Sequence, residues 1–298
     1  MKNRSHYTTG LIYGVGANTL WGLLPLYWKF LHKASAFEIL ANRGVWSLVF
    51  CFILLTFRRE MKSTLAIFRK RNILRMLMLT SVLLGINWGT YIWSVSVDRI
   101  VEASLGYYIA PLVNIAFGVF MFHERLRRFQ WVAVILAAAG VVVLTVQFGA
   151  VPWIALVIAF SWGTYTLLKK TLNLGALEGL SIETTLTLPF FLIYLIWIER
   201  QGSAQFGTSV GFTLLLVSAG IVTVVPLLLF NGAATRLPLS ITGLLQYIIP
   251  TIMFAIGTLV NHESMPIGRV IGFAFIWAAL TFLGYDLVKS NRNSTESS

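Results

Sequence analysis

Hydrophobic positions along the 298-residue chain fall into ten long runs, at about 8–28, 37–57, 73–95, 101–122, 129–147, 151–168, 178–198, 209–232, 237–260 and 268–288. A helix of about twenty residues rises roughly 30 Å, the thickness of a hydrocarbon core, so each run predicts one transmembrane helix. The polar stretches between runs are short. The exception is 58–72, from Arg58-Arg59-Glu60-Met61-Lys62 through Arg71, which predicts an amphipathic helix lying on the membrane surface. No polar stretch is large enough for a soluble domain, and the tail from Asn291 to Ser298 is polar enough to predict disorder.

The pattern is duplicated. Tyr108-Ile109-Ala110-Pro111, followed by His123-Glu124, returns 139 residues later as Tyr247-Ile248-Ile249-Pro250, followed at the same distance by His262-Glu263. Trp21-Gly22 is answered by Trp162-Gly163 and Lys29 by Lys170 at an offset of 141, and Glu38 by Glu178 and Arg43 by Glu183 at an offset of 140. Five helices per copy is an odd number, so the second copy must enter the membrane from the opposite side. The expected architecture is an all-α integral membrane protein of ten transmembrane helices in a five-plus-five inverted repeat: residues 7–147, residues 151–288, and a tail at 289–298.

Composition sharpens this picture. Hydrophobic residues make up 57% of the chain and charged residues 11%, where a soluble domain carries about a quarter charged. The net charge of +12 does not point to nucleic acid, because the Lys and Arg fall between the apolar runs, where they set orientation. With the N-terminus inside, the inner side collects Lys2, Arg4, the Arg58–Arg75 cluster, Arg125, Arg127, Arg128, Lys169, Lys170, Arg236, Lys289 and Arg292. The outer side keeps only Lys29, Lys33, Arg99, Arg200 and Arg269. Both termini are therefore expected in the cytoplasm. The single cysteine, Cys51, excludes an internal disulfide and reads as a small packing residue. No cleavable signal peptide is expected, because the first run is long and leads straight into more.

Several blocks resemble the RarD permeases of the EamA branch of the drug/metabolite transporter superfamily: Glu38-Ile39-Leu40-Ala41-Asn42-Arg43-Gly44-Val45-Trp46-Ser47, Asn87-Trp88, Glu102-Ala103-Ser104-Leu105-Gly106-Tyr107, Gly220-Ile221-Val222-Thr223, Ala234-Thr235-Arg236-Leu237 and Gln246-Tyr247-Ile248-Ile249-Pro250-Thr251. The resemblance implies a ten-helix, EamA-fold permease of the bacterial inner membrane, associated with export of small organic solutes. Asn42 stands where many relatives are expected to carry histidine, so no proton relay through that position is carried over.

Ionisable groups inside apolar runs cost roughly 2.5–3.5 kcal/mol on insertion scales, so each calls for a partner or a role. Arg43 lies about 9 Å inside its run at 1.5 Å per residue, with Glu102 or Asp98 as prospective partners. Glu183 enters from the other side, with Lys169, Lys170 or Arg236 as prospective partners. These pairs are candidate gates, Arg43 is a candidate receptor for an anionic substrate group, and the plainer alternative is a permanent ion pair between helices. Asn87, flanked by Trp88 and Tyr91, is a candidate substrate contact or an interhelical hydrogen bond, and Gln246 with Tyr247 carries the same pair of readings in the second half.

Pro111 and Pro250 lie inside runs, where a missing amide donor kinks a helix, with Gly118 and Gly257 beyond them; they are candidate hinges or static kinks. Trp21 and Trp162 are read as core filler or cavity caps, and Glu124 and Glu263 as loop anchors. The histidines have no metal-ligand spacing, so neither a metal nor another cofactor is expected.

Paired acids, a Ser/His dyad or a metal triad at one depth are missing, which argues against an enzyme. The absence of a signalling domain argues against a sensor, and that of a P-loop against direct nucleotide drive. The expected function is secondary active transport, as an exporter, of small organic solutes or drugs by alternating access. A facilitative channel or a membrane sensor is the alternative. A small-molecule substrate and the lipid bilayer are the expected partners, with a coupling proton carried by Glu38 or Glu183.

Overall fold

The computed structural model describes residues 2–96, 99–149, 151–172, 174–256, 259 and 267–296. Its helices are α1 (Lys2–Trp28), α2 (Ala36–Arg58), α3 (Met61–Ile67), α4 (Arg71–Ser96), α5 (Ile100–Met121), α6 (Arg128–Phe148), α7 (Trp153–Leu172), α8 (Ala176–Arg200), α9 (Val210–Ala234), α10 (Leu239–Leu245), α11 (Ile248–Ala255) and α12 (Ile267–Glu296). Among the described residues, α2, α4, α5, α6, α8 and α9 are each long and apolar enough to cross a bilayer, and 239–255 and 270–286 form shorter apolar stretches. Helices α1 and α7 occupy the first and sixth predicted runs but fall outside that set of six.

Three local departures have physical causes. The ninth run is two helices rather than one, parted at Gln246–Tyr247. Pro250 has no N–H to offer the Gln246 carbonyl, and the chain tightens instead: Ile249 N–H donates to Gln246 O at 3.1 Å and Tyr247 N–H to Leu244 O at 3.2 Å, both three residues back. In the first half α5 runs unbroken through Pro111. The segment expected to float on the membrane forms only the short α3, whose Thr64 and Ile67 are buried, with Ile67 packed beside Leu77 and Ile182. Finally α12 continues to Glu296, so 291–296 are helical where composition predicted disorder; extending an existing helix avoids the cost of nucleation.

The principal helix contacts come in matched sets. Helices α2 and α8 pack on each other, as do α6 and α12, and α5 with α10; α4 meets α7 as α9 meets α1, α5 meets α7 as α11 meets α1, and α2 meets α9 as α8 meets α4. Exchanging α1, α2, α4, α5 and α6 for α7, α8, α9, the α10–α11 pair and α12 returns the same set. Helices α1 and α7 run in opposite senses: Lys170, at the end of α7, donates to Leu237 O at 2.6 Å, and Leu237 also packs against the start of α1 near Gly10. The face holding Lys170 gathers the basic loops and is called the basic face below.

Small residues set the closest approaches. A Cβ on Gly220 of α9 would lie 2.5 Å from the backbone of Trp46 on α2, and one on Gly243 of α10 2.7 Å from Pro111 O on α5. Ala133 and Ala137 of α6 and Ala279 of α12 are buried in the largest core cluster, as expected where backbone proximity rather than bulk drives association. Large apolar side chains such as Phe52, Val82, Ile135, Phe190 and Leu214 point outward, the reverse of a soluble surface. Cys51 is buried in the cluster with Leu55, Leu177 and Val224.

Candidate functional site

Helix α2 starts at Ser35, whose hydroxyl accepts the Glu38 N–H at 3.1 Å, the usual way to satisfy a first-turn donor. Glu38, only 1% exposed, reaches across to the α8–α9 connection, where its Oε1 accepts the N–H groups of Gln205 (2.7 Å) and Phe206 (3.0 Å). Arg43 follows on the same helix. Its Nε donates to Thr223 Oγ1 on α9 at 2.9 Å, and its guanidinium carbon lies 4.9 Å from the ring centroids of both Trp28 and Trp88. Tyr27, Tyr91 and Tyr107 are close enough to interact with it electrostatically.

The expected Arg43–Glu102 pair is not formed. Glu102 instead sits 2.7 Å from Arg99 Nη2 and accepts the Ile154 N–H at 2.9 Å, capping the start of α7. Being three residues from Arg99 in sequence, it meets a cation on its own helix turn before any on α2. Asp98, the other prospective partner, lies outside the described residues. Among the described residues Arg43 has no carboxylate partner, and its Nη1 and Nη2 have no acceptor.

Glu183 stands on α8 where Arg43 stands on α2, but its surroundings are the opposite. Lys169 Nζ lies 3.2 Å from Oε1 and 3.3 Å from Oε2, Thr80 of α4 donates to Oε1 at 2.5 Å, and the Tyr165 hydroxyl donates to Oε2 at 3.4 Å. Of the three cations offered by the sequence, the structure brings Lys169. Lys170 pairs instead with Glu124 at 3.5 Å, and Arg236 donates to the Gly232 carbonyl at 2.8 Å.

Between these two sites, α2, α4, α8 and α9 enclose a cavity of about 30 Å³, lined among others by Ser47, Trp88, Glu183, Thr184, Phe191 and Thr223. Ordinary small-molecule pockets span roughly 300–1,000 Å³, so an organic solute does not fit the cavity in this conformation.

The other predicted residues scatter. Trp88 lines the cavity, and Tyr91 rests edge-on against Tyr107 at 6.0 Å. Asn87 turns away to α7, donating to Ile158 O (2.9 Å) and Ser161 Oγ (3.1 Å), so the interhelical bond is what forms. Gln246 accepts from Asn114 Nδ2 at 3.1 Å, and the Tyr247 hydroxyl donates to Tyr108 O at 3.1 Å; both tie the α10–α11 break to α5, away from the cavity. Trp21 and Trp162 meet each other at 5.5 Å and both pack on Phe230, as core filler.

Glu124 anchors the start of α10, accepting the Leu239 N–H at 2.6 Å and the Ser240 N–H at 2.9 Å. On the same face Glu178 accepts from Ser63 of α3 at 2.8 Å. His262, Glu263 and Gly257 lie outside the described residues. Sequence reasoning passed over Trp28, Thr80 and Thr223. The offset of 141 that matches Lys29 to Lys170 also matches Trp28 to Lys169, and that register was the available signal.

Comparison with known proteins gives one consistent result. The EamA-like transporter family matches twice, over residues 8–146 and 150–285. Protein RarD of Streptomyces exfoliatus is 46% identical over 295 residues, covering 99% of this chain and 94% of that one. The uncharacterized transporter YojE of Bacillus subtilis is 44% identical over 291 residues, covering 96% of each. Protein RarD of Escherichia coli is 40% identical over 288 residues, covering 96% and 97%. A solved structure, titled only as the crystal structure of a protein, superposes with a TM-score of 0.72 at 18% identity over 93% of this chain and 97% of its own, and shows a shared fold.

Proposed function

We propose that this chain, which belongs to the EamA-like transporter family in its RarD-type branch, is a secondary active transporter that exports small organic solutes across the bacterial inner membrane by alternating access. Membership makes it a multi-pass transport protein; the coupling, the direction and the residues that act are this proposal. Ten crossings are counted by taking α10 and α11 as one broken span. The Lys and Arg bias of the loops supports taking both termini as cytoplasmic.

The observation that carries the reading is the small cavity shared by α2 and α4 of one half and α8 and α9 of the other, closed at each end by a contact between halves. At the end away from the basic face, Glu38 latches the α8–α9 connection. At the basic face, Glu178 of α8 holds α3, and Glu124 with Lys170 holds the start of α10. Breaking one set while keeping the other opens the cavity to one side at a time. Arg43, Trp88 and Tyr91 contact substrate at the one end, the Lys169–Glu183 pair stands at the other, and the α10–α11 break serves as the hinge, with Pro111 as its unbroken counterpart. A proton on Glu38 or Glu183 is the coupling candidate.

Purified protein in liposomes tests the scheme with a labelled panel of neutral, zwitterionic and anionic solutes. Saturable flux is expected, and in a Cys51→Ser background oxidation of a Trp46→Cys, Phe206→Cys pair, whose native rings stack at 6.1 Å across the same contact, should stop it until reductant is added. Flux that never saturates, or that ignores the crosslink, would point to a channel.

A further inference from the structure

Glu183 lines the cavity, and Arg43 stands just behind its wall, on the lining residues Thr223 and Trp88; the charges around the cavity do not balance. Each carboxylate near it is already satisfied: Glu183 by Lys169 and Thr80, Glu102 by Arg99 and the Ile154 N–H, Glu38 by two backbone N–H groups. Among the described residues Arg43 is the cation left over. Its Nε is fixed on Thr223, which sets the plane of the guanidinium. Trp28 and Trp88 lie against the guanidinium, each ring centroid 4.9 Å from its carbon. What remains free is the fork of Nη1 and Nη2, whose four N–H donors match the two oxygens of a carboxylate.

We infer that Arg43 is the receptor for the anionic group of the transported solute, and that the substrate class is organic monocarboxylates with an apolar or aromatic body; this rests on the transporter reading given above. The body is set by the walls, where Leu84, Leu180, Leu227 and Phe191 are apolar and Ser47 and Thr187 add hydroxyls. The single negative charge is set by the far end: Glu183 is already neutralised by Lys169, so a second anionic group would meet a carboxylate with no cation to spare. In this conformation the cavity is too small for such a solute, so its binding must part α2 and α4 from α8 and α9, and the free energy of the Arg43 contact is available for that motion.

The test uses the full chain in detergent with benzoate, benzamide and terephthalate as probes, read by unfolding temperature and by dialysis of labelled benzoate. Benzoate is expected to bind saturably and raise the unfolding temperature; benzamide, which keeps the body and loses the charge, and terephthalate, which carries a second carboxylate at the far end, should bind at least tenfold more weakly. Arg43→Gln should abolish the benzoate response while leaving the ligand-free unfolding temperature unchanged or higher, since it removes an unpaired cation. Arg43→Lys keeps the charge but not the fork and should weaken benzoate about tenfold.

Equal binding of benzamide and benzoate overturns the inference, and so does a benzoate response that survives Arg43→Gln. A lower ligand-free unfolding temperature in both Arg43 variants makes Arg43 a structural staple and also overturns it. Saturable flux of a neutral solute that is undiminished in Arg43→Gln would leave the transporter reading standing and discard this one. Benzoate binding without saturable flux of any solute would do the reverse.

Discussion

Arg43 and Glu183 occupy matched positions, each seven residues beyond the first residue of its helix and 140 residues apart in the chain. Both touch a threonine of the opposite half, Thr223 for Arg43 and Thr80 for Glu183. Their third neighbours differ. Position 28 in α1 is a tryptophan, and its counterpart in α7, position 169, is a lysine. One site is therefore a cation caged by aromatic faces with donors to spare; the other is a carboxylate with every strong partner in place. The duplicated scaffold supplies two matched niches, and two differences, Arg43 for Glu183 and Trp28 for Lys169, make one a closed ion pair and leave the other a cation without a carboxylate among the described residues.

The largest effect is expected from breaking the closed site. Lys169→Met leaves Glu183 buried without its cation, and should cost about 3–5 kcal/mol in detergent unfolding. Adding Glu183→Gln to it should return most of that loss; if the double variant is no better than the single, the pair is not the source of the stability.

Next comes the threonine at each site. Thr80→Val removes a short bond to a buried carboxylate, at a cost of about 1.5–3 kcal/mol, whereas Thr223→Val should cost less because the Arg43 cation keeps its two indoles. Equal losses in unfolding would erase the distinction drawn between the sites.

A third variant converts the open site toward the closed one. Trp28→Glu supplies Arg43 with a carboxylate, and should weaken benzoate at least tenfold, about 1.4 kcal/mol or more, with the helical circular dichroism unchanged. Full benzoate affinity in that variant would mean that the fork is not where the probe binds. The smallest effect is at the exposed latch: Ser63→Ala should change stability by no more than about 0.5 kcal/mol, in contrast to the buried latch at Glu38.

Much of this was legible before any coordinates. Ionisable residues within apolar runs flagged Arg43 and Glu183, and the repeat register marked them as equivalents. Lys169 was among the partners offered for Glu183. The Arg43–Glu102 pairing failed because proximity to the same membrane edge says nothing about helix rotation, and Arg99 was one turn away. Asn87, Gln246 and Tyr247 were open to two readings, substrate contact or interhelical hydrogen bond, and in this structure each makes the interhelical bond. The break at Gln246–Tyr247 followed from Pro250, but Pro111 in the same motif left α5 intact; local chemistry permits a kink, and packing decides whether it opens.

The order of the apolar runs, the duplicated pattern along them, and the charges that had to be accommodated in the interior were set by the sequence alone. Which neighbour each of those charges met was decided only in three dimensions. In soluble helices a polar face tells which side turns outward, but helices apolar on every side carry no such signal. Their rotation is settled by where small residues let backbones touch, as at Gly220 against Trp46 and Gly243 against Pro111, and that rotation put Arg43 between two indoles instead of beside an acid.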